Sequence, residues 1–331
     1  MSILIDTDTT FIVQGITGRE AVSLTRECLD YGSKIVGGVT PGRKGREVHG
    51  VPVFDTVAQV IDHNGGAVPD GSVVTVPPAF TKDAVFEALE HGISTVVVVT
   101  ERIPRRDVAQ MVELADSHGA RIIGPNCLGL IVPGVAKMGG IGGPARNAEQ
   151  AYQPGSVGVM SRSGGMTTEI SSTLTAAGLG VSTAISIGGD AIIGSTYAEL
   201  MPHFEADEQT EAIVIYTEPG GRMEAQLSEW VAENQSRLPI VAFMAGRFMD
   251  DEEMQGMRFG HAGTIVEGKE DTATQKIARL EEAGIPVVER IDEIPDVVKT
   301  KLEEAGRSPA VHARRDAEQP SQDAGPEAPR S

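Results

Sequence analysis

Two spacings of apolar residues alternate along most of the chain. Short runs of β-branched and aliphatic residues read as strands covered on both faces. Longer stretches with apolar positions every three or four residues read as amphipathic helices. Residues 10–13 form the first predicted strand, followed by the glycine turn Gln14-Gly15-Ile16-Thr17-Gly18 and a helix from Arg19 to about Tyr31, closed by Gly32. Further strands are predicted at 34–39, 72–76, 95–99 and 121–123, with helices over about 82–91 and 106–118. Strand and helix in strict alternation imply a doubly wound, mostly parallel sheet, which binds ligands beyond the carboxyl ends of its strands. Those ends are Gly15 to Gly18, Thr40 to Arg43, Pro77 to Phe80 and Thr100-Glu101.

Residues 134–154 are rich in glycine, proline and alanine with little periodicity, and are expected to link two domains. A second α/β series follows. Its strands are predicted at 156–160, 182–187, 211–216, 239–244 and 285–288, and its helices over about 167–177, through Glu199 and Leu200, 224–234, 270–283 and 293–305. From Gly306 to Ser331 large apolar residues almost vanish, and a disordered tail is expected.

Composition narrows the function. The chain has 331 residues, enough for two domains of ordinary size. A net charge of −19 opposes non-specific nucleic-acid binding, so an anionic ligand must be held by local groups. No apolar run approaches the roughly 20 residues that cross a bilayer, and the start, Met1-Ser2-Ile3-Leu4-Ile5-Asp6, lacks the pattern of a signal peptide, so a cytoplasmic location and no membrane partner are expected. Cys28 and Cys127 make neither a disulfide framework nor a metal cluster, and no metal site is predicted.

Three stretches carry candidate chemistry. In Arg258-Phe259-Gly260-His261-Ala262-Gly263 an imidazole lies between small residues, where a bulky reactant can reach it. Neutral imidazole is a competent nucleophile near neutral pH. Ser161-Arg162-Ser163-Gly164-Gly165-Met166 ends a strand, with Ser163 as a natural N-cap and Gly164 and Gly165 leaving the first helical amides uncovered for an anion. Glu218, in Thr217-Glu218-Pro219-Gly220-Gly221, also follows a strand; a carboxylate on one imidazole nitrogen fixes the tautomer and raises the basicity of the other. Each has a plainer reading: a turn histidine, an ordinary strand-to-helix turn, a surface carboxylate. The loop Thr40 to Arg46, with its three cations, suits phosphates or a solvated turn. Cys127 is expected to be an ordinary partly buried thiol, and Trp230 a core or interface anchor.

The ordered set of motifs resembles the α subunit of succinyl-CoA synthetase and, more broadly, the nucleoside-diphosphate-forming acyl-CoA synthetases and ATP-citrate lyases. The matching residues are Gln14-Gly15-Ile16-Thr17-Gly18, Gly37-Gly38-Val39-Thr40-Pro41-Gly42, Val76-Pro77, Thr100-Glu101, Gly124-Pro125-Asn126-Cys127, Ser161-Arg162-Ser163-Gly164, Ile187-Gly188-Gly189-Asp190 and Gly260-His261-Ala262-Gly263. The resemblance implies a Rossmann-like CoA-binding domain over residues 1–133, the linker at 134–154, a flavodoxin-like ligase domain over 155–305 and the tail at 306–331. It implies coenzyme A along Thr17, Gly18, Arg19, Glu20, Arg43, Val99, Thr100 and Glu101, a phosphohistidine at His261 oriented by Glu218, and phosphate at Ser163, Gly164 and Gly165. The chain has no phosphate-binding G-x-x-x-x-G-K-[ST] loop, and the resemblance implies that ATP or GTP with Mg²⁺ sits on a separate β subunit of the ATP-grasp type, in an αβ or α2β2 assembly.

Departures bear on the acid. Thr168 stands where the succinate enzymes carry a tyrosine, so Thr168 is a candidate substrate residue, and Gly164-Gly165-Met166 is similar to the citrate-cleaving relatives. Leu128 replaces a proline, Arg43 a lysine, and Glu218-Pro219 a Glu-Ile pair. Succinate is the expected small carboxylic acid, with a malate- or citrate-type acid or a non-catalytic CoA-binding regulator as alternatives. A nicotinamide oxidoreductase would need the strict G-x-G-x-x-G fingerprint, which is absent.

Overall fold

The structure, a computed structural model, describes residues 3–250, 261–264, 266 and 271–307. Arg258, Phe259 and Gly260 of the histidine loop and the tail from residue 308 lie outside the described residues. The two predicted series form two seven-stranded sheets.

The first sheet contains β1 (Thr10–Gln14), β2 (Lys34–Val39), β3 (Glu47–Val48), β4 (Val51–Phe54), β5 (Gly71–Val74), β6 (Thr95–Val98) and β7 (Arg121–Ile123). Their order is β3-β4-β2-β1-β5-β6-β7, and all neighbours are parallel except the β3–β4 pair at the edge. The helices are α1 (Arg19–Asp30), α2 (Val57–His63), α3 (Pro78–Glu90) and α4 (Arg105–Ser117). Three elements have no counterpart in the sequence reading: β3, β4 and α2. The two strands are too short to show a clear period, and Pro52 argues against a central strand; it lies one strand in from the edge and pairs with Glu47 of β3, while the β2 ladder is made by Val53 and Phe54. α3 begins at Pro78 rather than near Lys82, because proline suits the first helical turn, where its missing N–H has no intrahelical partner.

The second sheet contains β8 (Gly129–Val132), β9 (Ala136–Met138), β10 (Pro154–Ser161), β11 (Val181–Ser186), β12 (Ala212–Thr217), β13 (Ile240–Met244) and β14 (Val287–Val288), in the order β14-β13-β12-β10-β11-β8-β9. Its helices are α5 (Ala145–Ala151), α6 (Gly164–Ala176), α7 (Tyr197–Ala206), α8 (Met223–Asn234), α9 (Ala273–Glu282) and α10 (Ile294–Glu304). The expected linker at 134–154 is therefore corrected. It holds β9, which pairs antiparallel with β8, and the helix α5, and the second sheet already begins at Gly129, ahead of the expected border at residue 133. Met138, Ile141, Ala148 and Tyr152 are buried, so the segment is anchored by its apolar side chains despite its glycines. Of the expected tail, Arg307 is tied back: its Nη1 donates to the Glu211 carbonyl at 2.8 Å.

The two sheets share a core. One cluster of buried side chains joins Val13, Val73 and Ile123 of the first sheet to Leu130, Ile185 and Ile215 of the second. Backbone bonds reinforce the contact, from Gly189 N to Asn126 O at 3.1 Å and from Gly194 N to Gly124 O at 2.8 Å. Trp230 is half-buried against this cluster, in keeping with its reading as an anchor.

Candidate active site

In both sheets the chain runs outward on one side of a central strand and returns on the other. In the first sheet that strand is β1, between β2 and β5; in the second it is β10, between β11 and β12. At such a point adjacent strand ends lead away in opposite directions and leave a crevice. The loops leaving β10 and β12 are Arg162-Ser163 and Glu218, brought side by side because Ser161 pairs with Tyr216.

His261 reaches this crevice. Its Nδ1 lies 2.8 Å from Oε1 and 2.9 Å from Oε2 of Glu218. Glu218 is 5% exposed, whereas a quarter of the imidazole is open. A buried acid against one ring nitrogen, with part of the ring accessible, is the arrangement a nucleophilic imidazole needs. Two glycines permit it. A Cβ on Gly189 would lie 2.6 Å from His261 Cγ and Cδ2, and one on Gly263 would lie 2.1 Å from Arg162 Nη2. The Gly263 N–H donates to the Gly189 carbonyl at 3.0 Å, which clips the histidine loop to the loop after β11.

Arg162 is 2% exposed. Its Nη2 donates to the Asp190 carbonyl at 2.9 Å, and its Nη1 is 3.6 Å from Glu218 Oε1. The Asp190 carboxylate accepts from Asn126 Nδ2 at 3.1 Å. Burial pushes the Asp190 carboxyl above the usual carboxylate range; the Asn126 amide opposes this, and the charge of Glu101 adds to it. Beneath Glu218, the ammonium of Lys276 donates to the carbonyls of Glu218 and Gly220 and to Glu224 Oε2 at 2.6 Å, and Thr217 donates to the other oxygen of Glu224. The turn carrying Glu218 thus rests on a buried ion pair.

Ser163 caps α6: its side chain accepts from the Met166 amide, and its carbonyl from the Thr167 hydroxyl. Gly164 and Gly165 occupy the first turn, with Gly164 packed on Leu128. Thr168 lies a turn further along, its hydroxyl 2.8 Å from that of Tyr152, a residue from the segment expected to be linker.

The other predicted residues gather on the first sheet. Gly18 is the N-cap of α1 and offers no side chain, so the amides behind it stay uncapped. The hydroxyls of Thr17 and Thr40 are 3.3 Å apart. Arg19 and Glu20 are exposed and paired with each other. In the 42–44 turn the amides converge on Asp55 Oδ1, leaving the Arg43 side chain outward. Val99 N donates to Val74 O, and the Thr100 hydroxyl to Val76 O at 2.7 Å. Glu101 is exposed. A crevice lined by Arg102, Ile103, Arg105, Asp190, Ile192 and Ala262 lies between the residue after Glu101 and the residue after His261.

Two contributors were missed in the sequence. Arg162 lay inside a quoted motif, and a cation directly after an apolar strand was the available signal. Lys276 sits on an amphipathic helix where a lysine reads as solvated. Cys127 is buried, and burial pushes its thiol up to about 12, which removes it as a nucleophile.

An α/β protein with a nucleotide-type crevice on one sheet and a carboxylate-supported imidazole on the other is the architecture of a group-transfer enzyme. Residues 6–102 match the family described as CoA binding domain, and residues 154–301 the family described as succinyl-CoA ligase like flavodoxin domain. The chain is 41% identical over 303 residues to succinate–CoA ligase [ADP-forming] subunit alpha 1 of Archaeoglobus fulgidus, covering 92% of this chain and 99% of that one. It is 39% identical over 306 residues to the ADP-forming sulfoacetate-CoA ligase subunit SqwL of an Acholeplasma species, covering 92% and 99%. The chain belongs to the succinate–CoA ligase α-subunit family, and is a ligase with a CoA-binding and a flavodoxin-like domain. In fold it is similar to the ATP citrate lyase of Methanothrix soehngenii solved with citrate and coenzyme A, with a TM-score of 0.84 and 24% identity, over 99% of this chain and 53% of that one. Among the described residues no helix is long and apolar enough to cross a membrane.

Proposed function

We propose that the chain is the α subunit of an acid–CoA ligase, in which His261 carries a phosphoryl group between a nucleotide site on a partner subunit and an acyl group that is exchanged with CoA. The observation carrying this reading is the contact of both Glu218 oxygens with His261 Nδ1 at the crevice where Arg162 and Ser163 leave β10. With Glu218 on Nδ1, Nε2 is the ring nitrogen that takes the phosphoryl group. The uncapped amides of Gly164 and Gly165 supply donors and a positive helix end for phosphoryl oxygens. Covalent capture on the ring splits one difficult displacement into two easier ones.

Coenzyme A fits the first crevice on the chemistry of its donors: the uncapped start of α1 behind Gly18 and the outward cation of Arg43. Thr17, Arg19, Glu20, Val99, Thr100 and Glu101 would line it. Coenzyme A supplies the thiol that accepts the acyl group. The partner is a β subunit of the ATP-grasp type that binds ATP or GTP with Mg²⁺, in an αβ or α2β2 assembly in the cytoplasm. Succinate is the proposed acid, in line with the names of most of the similar chains. A second reading, another carboxylic acid with a second polar group, draws on Thr168 and on relatives named for sulfoacetate at 39% and 40% identity. Thr168 would then help select the acid.

The test is to incubate the chain, assembled with its partner subunit, with Mg²⁺ and γ-labelled nucleotide. Acid-labile, alkali-stable label on the chain that is lost in His261→Asn is expected; intact complex that binds CoA without taking label would overturn the reading in favour of a CoA-binding regulator. A panel of succinate, malate, citrate and sulfoacetate then identifies the acid by CoA thioester formation.

A further inference from the structure

We propose that Arg162 is a positioning residue that decides which nitrogen of His261 is nucleophilic, by compensating the charge of Glu218; this rests on the phosphohistidine reading above. Three parts of the site meet on its guanidinium. Nη2 is bound to the main chain of Asp190, Nη1 faces Glu218 Oε1 at 3.6 Å, and Gly263 of the histidine loop packs directly on Nη2. The side chain is 2% exposed, so its charge acts in a poorly solvated setting where such effects are strong.

A carboxylate as buried as Glu218 needs a cation close by. The ammonium of Lys276 touches only the main-chain carbonyl of Glu218, and its charge is met by Glu224 at 2.6 Å. Asp190 and Glu101 have the same sign as Glu218, and of the two arginines lining the adjoining crevice, Arg102 and Arg105, the former is paired with Glu101. Among the described residues Arg162 is thus the permanent cation beside the Glu218 carboxylate.

The consequence is a matter of protons. An ionised carboxylate only accepts hydrogen bonds, so with both Glu218 oxygens on Nδ1 the ring proton must sit there, and Nε2 keeps its lone pair. A protonated Glu218 could donate to Nδ1 instead, moving the ring proton to Nε2 and removing the nucleophile. In the transfer, the Nε2 lone pair forms the N–P bond while the P–O bond to the leaving carboxylate or nucleotide oxygen breaks and takes its electron pair. The Nδ1 proton stays in place, and the positive charge left on the ring faces the Glu218 anion.

The experiment compares the parent chain with Arg162→Met and Arg162→Lys. Imidazole nitrogen NMR on the unphosphorylated chain is expected to find the His261 proton on Nδ1 in the parent, shared with Nε2 in Arg162→Met, and returned to Nδ1 in Arg162→Lys. In the complex with its partner subunit, Arg162→Met should slow histidine labelling by about tenfold or more, as a wrong tautomer does elsewhere. Arg162→Lys should recover part of the rate, with the label on Nε2. An unchanged Nδ1–H signature in Arg162→Met, or equal loss in both variants without a change of tautomer, would overturn the proposal and leave Arg162 a packing element. Because the nitrogen signature is read without nucleotide, it is decided independently of whether the parent complex takes label. Arg162→Lys, which keeps the charge, provides the reading should Arg162→Met fail to fold.

Discussion

Both carboxylate oxygens of Glu218 approach one atom of His261, Nδ1, at 2.8 and 2.9 Å. An amide in that position would offer one acceptor and one donor, so the ring would be held in place with its proton no longer assigned. Glu218→Gln is therefore expected to cut the rate of histidine labelling by up to about four orders of magnitude, the loss found when the acid behind a catalytic histidine becomes its amide. Calorimetric titration should give an unchanged CoA affinity, because the CoA crevice belongs to the other sheet.

The imidazole lies flat against a position that has no side chain. Gly189→Ala would put a Cβ 2.6 Å from two ring carbons, well inside van der Waals contact. The ring must shift from its place against Glu218 to relieve it. Labelling should fall at least about tenfold, while overpacking in a crevice with one open side should cost only about 1–3 kcal/mol of stability. Urea unfolding alongside the labelling assay separates the two effects.

Lys276 and Glu224 are both almost fully buried and 2.6 Å apart. Removing one partner leaves the other uncompensated, so Lys276→Met is expected to lower stability by about 3–5 kcal/mol. The double variant Lys276→Met, Glu224→Leu should recover most of that loss, because two well-packed apolar residues can replace a buried pair. Its histidine labelling should stay depressed, since the carbonyls of Glu218 and Gly220 lose the donor that shapes their turn. Chemical denaturation of the three chains checks the first part, and labelling the second.

Burial pushes the thiol of Cys28 up to about 11 and that of Cys127 up to about 12, from a starting value of 9.0. A group that holds its proton more tightly in the folded state contributes stability below its unfolded value and loses it as pH rises toward the folded one. Stability should thus decline between about pH 9 and pH 12 as the unfolded chain alone gives up these protons. Cys127→Ala should flatten part of that decline in a pH series of unfolding midpoints. At pH near 8 an alkylating reagent should modify neither thiol of the native chain and both after denaturation.

The strand and helix series was legible because its signals are local. β1 with its glycine turn and α1, and β10 with Ser163 and α6, each announce themselves within about 20 residues through apolar runs, a cap and a breaker. His261 and Glu218 could likewise be named from short motifs, since an imidazole or a carboxylate beside glycines at a strand end is visible without coordinates. The edge strands β3 and β9 and the short β4 beside β3 were not legible. Two to four residues show little period, and these form strands only because a neighbouring strand stands ready to pair with them.

What the sequence determined alone is the class of fold, two α/β units, and which residue types stand at the strand ends. Tertiary structure decided that Glu218 and His261, 43 positions apart, touch; that Arg162 turns inward to join them; and that Lys276 is buried beneath them. The physical reason is that each of these depends on strand order. Only when β12 pairs with β10 do the two loops share a crevice, and only burial there makes a charge such as that of Arg162 require a particular partner.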